Sequence, residues 1–172
     1  MRKFLLAGSM IALSMVPALA QSTAPNISYS VKKDAMTDAN QSILIVFEEN
    51  DTIGVTYVGL RCDGMGGYEV FLKTKNPLFT QTDLSLGGFP TLMYRIDSQP
   101  PRTLQTSPVT RNGELDYSTL TFSAGGSQAI NNAFIAANKV TIRVVRAGQS
   151  NLDYRFPAKG YIAALNKVNR CK

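Results

Sequence analysis

Three arginines and one aspartate carry the chemistry most open to use in this chain. Arg95 and Asp97 stand two apart in the run Thr91 to Asp97 (TLMYRID), so on a strand they share a face while Tyr94 and Ile96 take the other. Arg143 lies between Ile142 and Val144, and Arg155 between Tyr154 and Phe156, so each opposes an apolar face. If these strands are neighbours, three guanidiniums and one carboxylate converge. Forked guanidinium donors suit bidentate capture of a carboxylate or phosphate. The plainer arrangement is charge pairing across strands on a solvated sheet face. Arg95, Asp97, Arg143 and Arg155 are therefore the candidate ligand-binding residues. The expected partner is an envelope component or a protein, and an arginine-lined face would suit an anionic one.

Other chemistries fall away on composition. The chain has no histidine, so a Ser-His-Asp or Cys-His machine cannot be built. Zinc or copper sites need nitrogen or free sulfur ligands, which two disulfide-bonded cysteines do not supply. A Ser-x-x-Lys pattern occurs at Ser30-Val31-Lys32-Lys33, but on a strand positions three apart face opposite sides. Paired carboxylates could run glycoside hydrolysis, with Glu48, Glu49, Asp63, Glu69, Asp97, Glu114, Asp116 and Asp153 as candidates. Most of them sit in or beside predicted turns, and the chain has no tryptophan to line a sugar cleft. Glu48, Glu49 and Asp51 lack the alternating spacing of a calcium loop and read as a hairpin turn. Gly64, Gly66 and Gly67 join two strands, so they make no phosphate loop. Gly125-Gly126-Ser127 precedes a helix, where capping is expected rather than anion binding. Three Asn-x-Ser/Thr triplets begin at Asn26, Asn40 and Asn50 and are taken as chance. No catalytic residue, metal ligand or cofactor is assigned, and the chain is not expected to be an enzyme.

Short β-type runs separated by turn residues must position the arginines. Ser42 to Phe47 (SILIVF) suits a strand covered on both faces. Ile53 to Cys62 alternates, and Gly54 and Gly59 read as bulge positions. Tyr68 to Thr74 returns as its hairpin partner, and residues 76–90 read as loop. After Thr91 to Asp97, Pro100-Pro101 ends the strand, and Tyr117 to Phe122 is the next. A helix follows with Ser127 as its N-cap, burying Ala129, Ile130, Ala133, Phe134 and Ala137. Lys139 to Arg146 and Leu152 to Phe156 pair through a Gly148-centred turn. A short final helix carries Tyr161, Ala164, Leu165 and Val168 on one face.

Residues 1–20 read as an export signal: Arg2 and Lys3, an apolar run, then Ala18-Leu19-Ala20 before the expected cleavage at Gln21. No later stretch approaches the roughly 18 apolar residues of a membrane span, so no transmembrane segment is expected and the location is secreted or periplasmic. The formal charge of +6 includes Arg2 and Lys3. The excess left without them is mild, and no Lys/Arg cluster marks a nucleic-acid arm. In an exported chain the two cysteines, Cys62 and Cys171, pair as a disulfide that clamps the C-terminus to the body. Residues 21–40 form an N-terminal extension with the first strand. Residues 41–172 form a single mainly β domain: a β-sandwich or strongly bent antiparallel sheet with two short helices and one disulfide.

The layout Leu60-Arg61-Cys62, Tyr68 to Leu72, Tyr94-Arg95-Ile96-Asp97, Val140-Thr141-Ile142-Arg143-Val144, Tyr154-Arg155-Phe156, Gly160, Ala163-Ala164-Leu165 and Cys171 resembles the small exported VasI-like proteins associated with type VI secretion in bacteria. In that family an early cysteine pairs with a C-terminal one around a YRxD strand and an xRV strand. The chain departs from the family in lacking tryptophan. The resemblance implies a secretion-associated accessory protein. The residues themselves favour a non-enzymatic, exported binding module, with a carboxylate hydrolase of envelope glycans as the other alternative.

Overall fold

The computed structural model describes residues 20–21, 24–85, 87–146 and 148–172. The expected export signal lies outside them except for Ala20. In chain order the strands are β1 (Ala20–Gln21), β2 (Ile27–Ser30), β3 (Ile43–Phe47), β4 (Tyr57–Cys62) and β5 (Tyr68–Lys73), followed by helix α1 (Gln81–Ser85). Then come β6 (Thr91–Ile96), β7 (Arg102–Leu104), β8 (Thr106–Arg111), β9 (Glu114–Phe122), α2 (Ala124–Ala136), β10 (Lys139–Val145), β11 (Leu152–Pro157) and α3 (Tyr161–Lys167). They form two antiparallel sheets, one seven-stranded in the order β1-β2-β3-β4-β5-β9-β8 and one four-stranded in the order β11-β10-β6-β7. The fold is mainly β, as expected. β2 pairs with β3 in full register and buries Ile27.

Each sheet turns one face into a single core. Leu44, Val46, Val58, Leu60, Val70, Leu72 and Leu120 come from the larger sheet, and Leu92, Val140, Ile142, Val144 and Phe156 from the smaller. Strand alternation sets this up, because a period of two sends every second side chain inward. The expectation that Ser42 to Phe47 is covered on both faces does not hold. Leu44 and Val46 are buried, while Ile43, Ile45 and Phe47 are only half-buried on the outer face. Phe47, Tyr57 and Phe71 shield that face edge to face, with centroids 6.1 and 6.0 Å apart.

Gly59 is not a bulge. It stays in regular register between Ile45 and Phe71. Its missing side chain makes room for the Phe71 ring, whose Cζ lies 2.3 Å from where a Cβ would stand. Gly59→Ala is expected to displace that ring and cost about 1–3 kcal/mol. A urea midpoint unchanged from wild type would show that the ring swings away freely.

Residues 100–113 hold two strands despite their prolines. Pro100-Pro101 does end a strand, but β7 and β8 follow at once. β8 is an edge strand, and its register with β9 shifts at Pro108, so the missing N–H is tolerated. The β8–β9 turn, Asn112-Gly113, has positive φ at both residues, 53° and 85°, the backbone that a two-residue hairpin favours. Within residues 76–90, α1 is closed by a reciprocal cap: Thr80 N–H donates to Asp83 at 2.7 Å, and Asp83 N–H donates to Thr80 Oγ1 at 3.2 Å.

The long helix starts earlier than its glycines suggest. Ser123, not Ser127, is the N-cap, and its Oγ accepts from Gly126 N–H. Gly125 and Gly126 lie inside α2, and Ser127 N–H donates to Ser123 O at 2.7 Å. Ser127 is buried, and its hydroxyl accepts from Val70 N–H at 3.1 Å, tying the helix to β5. Ile130, Ala133 and Phe134 fill the core from α2.

Beyond α3 a 3₁₀ turn, Asn169–Cys171, delivers Cys171 to Cys62 at the end of β4, with a Cα separation of 5.0 Å. Between α2, α3 and β5 runs a buried polar chain. The Tyr161 hydroxyl donates to Asn131 Oδ1 at 2.8 Å, and Asn131 Nδ2 donates to the Tyr68 hydroxyl at 3.1 Å. Burial pushes the Tyr161 phenol up, and the neighbouring Tyr68 adds to this, so it stays a donor. Tyr161→Phe leaves the Asn131 oxygen without its donor and is expected to cost about 1–3 kcal/mol. Equal stability in thermal and urea unfolding would mean that water takes the donor's place.

Candidate functional site

The smaller sheet turns its outer face to solvent, and its register places three of the four predicted residues together. Thr141 stands opposite Arg95 on one side and Arg155 on the other. One step along, Arg143 stands between Met93 and Asp153. Two strand spacings put the Arg95 and Arg155 backbones roughly 10 Å apart, a span two long guanidinium side chains can close over Thr141. Met93, Tyr94, Pro101 and Thr141 join the three arginines and Asp153 around a depression of about 160 Å³. That is smaller than the roughly 300 Å³ at which pockets for drug-sized ligands begin. It fits one anionic group and its immediate substituents.

Asp153 is the carboxylate of this face. Arg143 grips it with both arms of its fork, Nε to Oδ1 at 2.6 Å and Nη2 to Oδ2 at 2.6 Å. The Arg143 hydrogen bond holds the Asp153 carboxyl below its ordinary range against the opposing effect of burial, and the fields of Arg143, Arg155 and Arg95 add to it. The same pairing pushes the Arg143 guanidinium up. Arg155 leans the other way, toward Glu49 at 3.5 Å, which also meets Lys139 at 3.2 Å. Glu49 is held there because its N–H donates to Arg155 O at 2.9 Å, so the loop after β3 closes the free edge of β11. Arg95 makes no hydrogen bond or salt bridge among the described residues.

Asp97 is not part of the cluster. It lies just past the end of β6 with φ of 46°, outside the strand alternation that would have put it beside Arg95. Its carboxylate accepts from Asn138 N–H at 3.3 Å and Lys139 N–H at 2.9 Å, fastening the α2–β10 junction. The sequence did hold a signal for the residue that replaces it. Asp153 is two before Arg155 on the same strand face, and the turn between β10 and β11 sets it opposite Arg143.

Of the other candidate carboxylates all but Glu114 are engaged locally; the Glu114 side chain makes no hydrogen bond or ion pair among the described residues and lines a depression with Asp116. Glu48 accepts from Asn50 N–H at 2.8 Å. Asp51 accepts from the N–H groups of Ile53, Val55 and Thr56, so the acids after β3 close their own turn. Asp63 accepts from Met65 and Gly67 N–H, and Glu69 pairs with Arg61. Asp116 lies under the β9 bulge with Lys73. Among the described residues no three His, Cys, Asp or Glu side chains are grouped to hold a metal ion. The N–H groups of Gly126 and Ser127 are taken by Ser123. No described helix is long and apolar enough to cross a membrane.

Comparison with known proteins adds no relative: no family model matches the chain, no curated protein matches it, and no solved structure matches it.

Proposed function

We propose that this chain is an exported, non-enzymatic binding module whose arginine face captures a carboxylate or phosphate group on an envelope component or a partner protein. The observation that carries the reading is the gathering of Arg95, Arg143 and Arg155 around the carboxylate of Asp153, with Arg95 making no hydrogen bond or salt bridge among the described residues. Asp153 already occupies the position of an anionic ligand, bound through the bidentate geometry such a ligand would use. The engagement of the remaining candidate acids other than Glu114 in turns and ion pairs supports binding over carboxylate hydrolysis. The disulfide supports export, since such bonds persist in oxidising compartments.

The test is an NMR titration of the oxidised chain with citrate, inorganic phosphate and, as a neutral control, glucose. Citrate or phosphate should shift the amides of β6, β10 and β11 and bind more weakly as salt rises. The double variant Arg95→Ala/Arg155→Ala should lose about tenfold or more in affinity, as expected for charge-assisted hydrogen bonds, with its melting temperature kept. Unchanged binding, or a fall in melting temperature alone, would assign these arginines to the fold. Asp153→Asn removes the internal competitor and should tighten anion binding about fivefold, the scale of one nearby charge in a solvated setting. Weaker binding in that variant would mean that Asp153 orients Arg143 rather than competing with the ligand.

A further inference from the structure

On the inner side of the same sheet, a groove of about 510 Å³ runs between α2 and the β6–β7 pair. Tyr94 and Ile96 lie on its sheet side, and Ala129 and Ala133 give its helical wall a small-residue surface. Arg102 stands directly across from Tyr94 in the β6–β7 register. Gln128 and Asn132 add exposed side-chain amides along the helix.

Two polar groups here lack partners among the described residues. Tyr94 is only 5% exposed, yet its hydroxyl makes no hydrogen bond. No enclosed side-chain nitrogen or oxygen is left unsatisfied among the described residues, so this hydroxyl opens onto the space it lines. A phenol buried to that degree ordinarily finds a partner, and one supplied by a ligand satisfies it as well as one supplied by the protein. Arg102 is exposed and makes neither a hydrogen bond nor a salt bridge. β7 is also the edge of its sheet, so its outward backbone groups are open to an added strand.

We propose that this groove binds a short peptide presenting its C-terminal carboxylate. The guanidinium of Arg102 takes the carboxylate, and the Tyr94 hydroxyl donates to a peptide carbonyl. Gln128 and Asn132 match the remaining amide, and Ala129 and Ala133 leave room for a small side chain. The volume lies in the range of ordinary ligand clefts. Tyr94 borders the outer depression as well as this groove, while Arg102, Gln128 and Asn132 border the groove alone, so variants at Arg102 separate the two sites.

The test is an NMR titration of the oxidised chain with N-acetyl-Ala-Ala as the free acid and as its C-terminal amide. The acid should shift the amides of Arg102, Gln128 and Asn132 and the Tyr94 ring, and should bind about tenfold tighter than the amide. Arg102→Ala should erase that preference while leaving citrate binding at the outer face intact. Tyr94→Phe should weaken both peptides about threefold or more. Equal binding of acid and amide, an acid preference that survives Arg102→Ala, shifts confined to the outer arginine face, or no shift at peptide concentrations on the order of 10 mM would each overturn the proposal.

Discussion

Breaking the Cys62–Cys171 bond is expected to lower the stability of the domain by about 4–5 kcal/mol, the loop-closure entropy of a bridge of this span. The two cysteines are 109 residues apart in sequence, and both are buried. The bond ties the last residues of the chain to the end of β4. Without it, the segment from α3 onward is held by Tyr161, Leu165 and Val168 in the core and by Asn40, whose side chain donates to Val168 O at 3.0 Å. Those contacts remain after reduction, so the reduced protein should lose stability without changing its strand pairing. Urea unfolding with and without reductant measures the difference, and the double variant Cys62→Ala/Cys171→Ala checks it without a redox agent. A loss below about 1 kcal/mol would show that the reduced, unfolded chain already keeps its ends together.

The second large effect is expected at Asp116. The register of β8 with β9 slips here: Pro108 faces Leu120, while the next residue, Val109, faces Asp116. The carboxylate of Asp116 holds the displaced backbone in place. It accepts from Ser118 N–H at 3.0 Å, the Ser118 hydroxyl at 2.7 Å, the Thr119 hydroxyl at 2.8 Å and Lys73 Nζ at 3.1 Å. Asp116→Ala removes all of these at a side chain only 14% exposed and is expected to cost about 2–4 kcal/mol.

Burial alone would raise this carboxyl, but the hydrogen bonds from Ser118 and Thr119, with Lys73, outweigh it and hold the group well below the ordinary carboxylate range. The unfolded chain therefore takes up the proton first as pH falls. The stability linked to Asp116 is complete above its unfolded value of about pH 4 and is lost progressively as pH drops toward the folded value. Urea midpoints between neutral pH and pH 3 should fall less steeply in Asp116→Asn than in the wild type. Identical acid slopes would remove Asp116 from the acid response.

The elements that show in the sequence are those whose signal is local. β4, β5, β6, β10 and β11 announce themselves by alternation, and that alternation also put Arg95, Arg143 and Arg155 opposite apolar faces. β7 and β8 were hidden because proline argues against a strand unless the strand is known to be an edge. Gly59 looked like a bulge because nothing in its own segment reveals that a cross-strand phenylalanine needs the space. Gly125 and Gly126 pushed the expected helix start past the real cap at Ser123, because the contacts that seat the start of α2 come from β5 and β9.

The chain by itself determined the absence of imidazole chemistry, the pairing of its two cysteines and the outward facing of three arginines, since composition and a two-residue period require no knowledge of neighbours. Both Asp97 and Asp153 stand two residues from an arginine, and tertiary structure decided which of them answers the cluster. Asp97 is turned away by a left-handed backbone at the end of β6, and Asp153 is brought to Arg143 by the pairing of β10 with β11. Register across strands depends on turn geometry and on burial of the opposite face, and neither is written in the segment that carries the side chain.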